Sequence, residues 1–172
     1  MNLNNIIQPL EAINEQMGRT ISWLSLAVVC ITFTVVVLRY GFDSGWIWMQ
    51  ESVVYMYAWI FMLAAGYTLK HDGHVRVDIF YRQFGEHQKA WVNFLGSLFL
   101  LLPMFIFIAW SSFDYVLASW RIGETSREAG GLDFVYILKT SLFLMPLLML
   151  FQGIALILTS LKTLLLNRAQ TK

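Results

Sequence analysis

Charge is scarce in this chain. Of its 172 residues only 13% are Asp, Glu, Lys or Arg, while 58% are hydrophobic. A soluble domain carries about 25% charge, so much of this surface must face something other than water. A single cysteine, Cys30, excludes an internal disulfide, a CxxC redox pair and a cysteine metal cluster. Lying inside an apolar run, it reads as a small packing residue. The net charge of +1 gives no bulk electrostatic basis for binding nucleic acid. The three histidines, His71, His74 and His87, all fall in one polar stretch, which excludes axial histidine ligation of a haem inside a membrane. HExxH, a phosphate-binding glycine loop and a Ser-His-Asp arrangement are missing too. His71-Asp72-Gly73-His74 is too sparse, in a glycine-containing turn, to read as a metal site. Neither catalytic residues nor cofactor nor metal is expected, and the chain does not read as an enzyme.

What the chain has instead is long apolar runs. Thr20–Leu38, Ser52–Leu69, Ala90–Phe113 and Thr140–Leu161 contain no charge. Even the shortest, as a helix, rises about 27 Å, close to the hydrocarbon thickness of a bilayer. In lipid a helix satisfies its own backbone, so the valine-rich end of the first run reads as helix and not as strand. The fold class is an all-α integral membrane protein. Residues 1–172 form a single four-helix membrane domain, with spans near 20–40, 47–69, 90–113 and 138–162. The organising stretch is Glu51–Asp78: one acid, an uncharged run, then Lys70, His71, Asp72, Gly73, His74, Arg76 and Asp78 in quick succession.

Ahead of the first span, Ile6, Leu10, Ile13 and Met17 recur at helical spacing. They predict a short N-terminal amphipathic helix, with a frayed tail as the alternative. Glu11 and Glu15 stand where a cleaved signal peptide would be basic, so no such peptide is expected. After the first span, Arg39 and Glu51 lie at equal distance from Gly45. A symmetric hairpin would set them at one depth as a helix-end ion pair, with Glu51 in a first helical turn. The alternative is that each simply marks the water interface. Pro103 predicts a kink in the third span. The third loop, read as Asp114–Lys139, carries Arg121, Glu124, Arg127 and Glu128, and is long enough to be functional or to be a plain connector. Mid-span polar groups are few: Ser25, Thr32, Thr34, Ser97 and Gln152. They suit hydrogen bonds between helices better than a transport pathway.

Lys and Arg set the orientation. The two termini and the histidine loop carry eight of them, and the other two loops carry four. Both termini are therefore expected in the cytoplasm, and Tyr40, Trp46, Trp48, Trp110, Tyr115 and Trp120 would form an aromatic girdle at the outer rim.

One ordered set of residues adds a resemblance. Glu51, Trp59, Gly66, Lys70, Gly73, His74, Arg76, Val77 and Asp78, preceded by Arg39-Tyr40, are followed by Glu124-x-Ser126, Gly130-Gly131, Lys139, Pro146 and Gln152. The set resembles the signature of the small membrane subunit, the DctQ type, of tripartite ATP-independent periplasmic (TRAP) transporters, and covers roughly Arg39 to Gln152. Leu132, Asp133 and Tyr136 depart from it, standing where that family often has prolines and a tryptophan.

The resemblance implies a sodium-coupled secondary transporter for an organic acid in a bacterial or archaeal inner membrane. Its partners would be a large multi-spanning M-type subunit, a periplasmic substrate-binding protein of P type, and membrane lipids. The small subunit would brace the large one and help dock the binding protein, with Arg121, Glu124, Arg127 and Glu128 as the docking loop and Lys70, His74, Arg76 and Asp78 as the signature loop. A stand-alone tetraspan scaffold or assembly factor is the alternative. A membrane anchor for a redox enzyme and a self-sufficient small transporter fit the absent histidines and the apolar spans less well.

Overall fold

A chain this poor in charge has to close its backbone hydrogen bonds within each segment. The computed structural model describes residues 3–75 and 79–170, and among them there are helices and no strand. Helix α1 spans Asn4–Gly41, α2 Ile47–Lys70, α3 Glu86–Gly96, α4 Leu102–Ile122 and α5 Val135–Gln170. A 3-10 turn, Tyr81–Gln83, precedes α3. A π turn, Ser97–Leu101, fuses α3 and α4 into one rod, so four rods are long and apolar enough to cross a membrane.

Proline dictates that π turn. Pro103 cannot donate a backbone bond and its ring crowds the preceding turn. The wider turn absorbs the conflict, with the Leu102 N–H reaching back to the Ser97 carbonyl. What the structure shows at this proline is the π turn just before it.

Three expectations change. The amphipathic stretch is not a separate element: it is continuous with the first span in α1, whose 38 residues rise about 57 Å. Its buried stripe is Ile7, Asn14, Gly18 and Ile21, while Ile6 and Ile13 are exposed. Cys30 is exposed and packs no core. Finally, the third rod does not end at Asp114 but continues two turns to Ile122, where Gly123 adopts a left-handed conformation (φ +58°). The Gly123 and Glu124 N–H groups cap the Trp120 and Ser119 carbonyls, the pairing of a Schellman motif.

α5 is the central rod. Of its apolar stretch 33% is buried within the chain, against 6 to 11% for the other three. On one side it meets α1 and α2, which pack on each other as a hairpin, and on the other the α3–α4 rod. Ile21, Leu63 and Leu148 form the shared core, flanked by Met17, Trp59, Ile60, Leu144 and Phe151. Apolar side chains alone do not drive helices together in lipid, so close approach matters. A Cβ on Gly18 would overlap the root of the Tyr67 ring, one on Gly66 the Asn14 amide, and one on Gly153 the Leu101 side chain.

At the centre sits a polar clamp. Asn14 is wholly buried, and its Nδ2 donates to the Leu148 carbonyl at 3.2 Å and to Gln152 Oε1 at 3.3 Å. This ties α1 to the middle of α5. The hydroxyls of Ser25 and Thr34 instead donate to carbonyls of their own helix, an alternative open to any Ser or Thr. Thr32 is exposed and Ser97 is buried at the π turn.

Gly18→Ala is predicted to force α1 and α2 apart and to cost about 1–3 kcal/mol, the usual range for overpacking. Gly96→Ala, with open space at its Cβ, should be neutral or mildly stabilising. Thermal unfolding in detergent separates the two; equal midpoints would show that the Gly18 contact is not tight.

Candidate functional site at the third-loop end of the bundle

The hairpin between α1 and α2 is asymmetric, and that decides what Glu51 does. Glu15 meets Lys70, Gly18 meets Tyr67, and Ile21 packs with Leu63. Carried along two antiparallel helices, this register sets Arg39 opposite residues 45–46 and Glu51 opposite Thr34. The expected ion pair between Arg39 and Glu51 is therefore not formed. Arg39 lines a small recess with Val35, Asp43, Ser44 and Gln50. Nor is Glu51 in a first turn, since α2 already begins at Ile47.

Freed from Arg39, the Glu51 carboxylate is wrapped by the third loop. Ser126 Oγ donates to Oε1 at 2.5 Å, and the Leu132 N–H donates to Oε2 at 2.6 Å. The Glu128 N–H donates in turn to Ser126 Oγ at 3.1 Å, the Ser126 N–H to the Leu132 carbonyl at 3.0 Å, and the Gly131 N–H to the Glu128 carbonyl at 3.0 Å. Glycine is required at 131: a Cβ there would lie 2.5 Å from Ser126 Oγ and 2.7 Å from Glu51 Oε2. Gly130 supplies the positive φ (+79°) that lets the chain fold over the carboxylate.

A second clasp closes the loop on α5. Lys139 Nζ donates to Glu124 Oε2 at 2.5 Å and sits 4.0 Å from the centre of the Tyr115 ring, a cation–π contact. The Val135 N–H donates to the Glu124 carbonyl at 3.1 Å. Next to it Trp120 packs tilted against Tyr136, ring centres 4.6 Å apart, and donates from Nε1 to Thr140 at 2.9 Å. The Lys139 ammonium, above all, holds the Glu124 carboxyl below its ordinary range. The loop is thus residues 123–134, shorter than the stretch 114–139 and fixed at both ends.

Among the proposed docking residues, Glu124 is spent on Lys139, while Arg121, Arg127 and Glu128 are exposed. At the opposite end of the bundle, Lys70 Nζ meets Glu15 Oε2 at 2.8 Å, His71 Nε2 lies 2.9 Å from the same oxygen, and Arg19 pairs with Oε1. His74 is exposed there, whereas Arg76 and Asp78 lie outside the described residues. The aromatic residues expected at a rim, Tyr40, Trp46, Trp48, Trp110, Tyr115 and Trp120, are all exposed, Trp110 three turns below the end of α4. The described residues hold no group of three His, Cys, Asp or Glu side chains able to share a metal ion. Two carboxylates, one held by a hydroxyl and an N–H donor and the other by a lysine, brace a loop.

Fold and site together define a multi-pass helical membrane protein whose third loop is clasped at two points. Sequence comparison places it more closely. The family model for the DctQ component of tripartite ATP-independent periplasmic transporters matches residues 28–165, and the chain belongs to that family. It is 30% identical over 114 residues to a protein of Haemophilus influenzae named as a TRAP transporter small permease, covering 66% of this chain and 70% of that one. It is also 34% identical over 53 residues to the C4-dicarboxylate TRAP transporter small permease protein DctQ of Vibrio cholerae, covering 31% of this chain and 23% of that protein. No solved structure matches. The chain is therefore a TRAP transporter small subunit, a family of transporter components and not of enzymes.

Glu51→Ala and Gly131→Ala are each predicted to release the loop, raising deuterium exchange of residues 124–134 while leaving α1 and α2 protected; unchanged exchange in both would refute the cradle. A second prediction concerns acid. Because the Glu124 carboxyl is lowered from an ordinary 4.5, its clasp contributes fully above that value and is lost as pH falls through the lowered one. Lys139→Gln should move loop opening to higher pH, measured as exchange protection corrected for intrinsic rates. An unmoved midpoint would show that Lys139 does not set it.

Proposed function

We propose that this chain is the small permease subunit of a sodium-coupled TRAP secondary transporter for an organic acid. It would sit in the inner membrane of a bacterium or archaeon with both termini cytoplasmic, bracing a large multi-spanning subunit and helping to dock a periplasmic binding protein. The observation that carries the reading is where the polar groups are spent. Between the rods, Asn14 Nδ2 donates to Gln152 Oε1 and to the Leu148 carbonyl, a tie from helix to helix that supports a brace and not a solute path. At the third-loop end, Glu51 and Glu124 hold the backbone still, and Arg121, Arg127 and Glu128 face outward.

A fixed loop with charges of both signs suits docking, since little ordering has to occur on contact. The excess of Lys and Arg at the terminal end supports the orientation. The Vibrio cholerae relative named for C4-dicarboxylates supports an anionic organic acid as cargo. Glu124 is better described as a clasp for the docking loop than as a docking contact.

Deleting the chain should abolish uptake by the large subunit and its binding protein, and full uptake without it would overturn the reading. With the chain restored, Arg127→Glu or Glu128→Arg should weaken binding-protein capture about ten-fold while membrane insertion stays normal. Unchanged capture with both would remove the docking role.

A further inference from the structure

Asp114 is the one charged residue between Ala90 and Trp120. Because α4 continues to Ile122, it does not mark the end of the span but stands two turns inside the helix. It is exposed at the mouth of an apolar groove of about 470 Å³ between α4 and α5, whose walls include Ile106, Ala109, Trp110, Phe113, Phe143 and Leu147. No cation among the described residues pairs with it. The neighbouring Lys139 is committed to Glu124 and the Tyr115 ring, and Arg121 lies two turns further along α4. The charge-free runs of α1, α2 and α5 carry no Lys, Arg or His to match it.

A carboxylate at the mouth of an apolar groove, level with Trp110, Tyr115 and Trp120, favours a cation or a strong donor on whatever fills that groove. We propose that this groove seats a transmembrane helix of the large transport subunit that carries a lysine or arginine opposite Asp114. The inference rests on the reading of this chain as a TRAP small subunit and names the face by which it holds its partner. Three features select a helix. Ala109, the one small residue in the wall, lets a second backbone come close. The aromatic and aliphatic walls offer side-chain-sized hollows. The negative charge at the mouth turns away anionic phospholipid and favours a basic partner.

The test uses tagged small subunit co-expressed with its large subunit and purified as the complex. Asp114→Lys is expected to lower recovery of the large subunit by roughly ten-fold or more, and Asp114→Asn by less. Ala109→Trp, which fills the groove without touching charge, should also lower it, and Phe33→Ala on the far face of α1 should not. Thermal unfolding of each variant alone guards against misfolding. As a reading independent of stability, Ala109→Cys in a Cys30→Ser background should cross-link to the large subunit. Undiminished recovery with both Asp114→Lys and Ala109→Trp would overturn the proposal. So would a cross-link only to a second small subunit, or loss of a bound amine-headed lipid while the complex stays intact. If the wild-type chain recovers no large subunit at all, the subunit reading itself fails, which is a different result.

Discussion

The arrangement depends on how α5 is gripped at its middle. Helices in lipid gain little from apolar surface alone, so their association rests on close backbone approach and on polar groups that have nowhere else to turn. Here both operate within one turn or two of Gln152. Asn14 enters from α1 and bonds Gln152 and the Leu148 carbonyl, Gly66 of α2 makes room for that amide, and Gly153 lets Leu101 of the opposite rod in. Removing the clamp would leave a buried amide unpaired, which costs more than the bond itself contributes. With α5 held on both sides, the two ends of the bundle acquire fixed positions.

Each end of α2 is then fastened to a different part of the chain. At one end Lys70 and neighbouring His71 converge on Glu15 of α1; at the other, Glu51 receives Ser126 and Leu132 from the third loop. The loop's second anchor, Glu124 on Lys139, secures it to α5. A helix bolted at both ends and a loop clasped at two points make a stiff body. Stiffness is what a brace requires, and the charges left over, Arg121, Arg127 and Glu128, project where a partner can meet them. Lipid-facing rods with little ionisable inside them complete a body suited to widening another protein's footprint in the bilayer.

The four rods were readable because an uncharged run of bilayer length admits few other structures. Their exact ends were not. Asp114 looked like the end of a span, yet one carboxylate does not stop a helix, and Gly123 does. The stripe on the N-terminal segment was misplaced by one residue because Ile6 and Ile13 are apolar and Asn14 is not. Burial of an asparagine is visible only once Gln152, far away in sequence, is brought beside it. The Arg39–Glu51 pair assumed a symmetric hairpin, whereas the register is set by Gly18 against Tyr67, a contact that spacing about Gly45 does not reveal. Glu51, Ser126, Gly131 and Lys139 all stood in the resemblance to the DctQ type. Their common purpose, holding one loop, became legible only from the geometry.

The central claim is that the polar contacts between the rods tie this chain into a stiff body, so that it supports transport without conducting. Purified chain reconstituted alone in liposomes, given a sodium gradient and labelled organic acids, tests this most directly. The account predicts no solute entry above that of empty vesicles. Gradient-driven accumulation by the partner-free chain would contradict it.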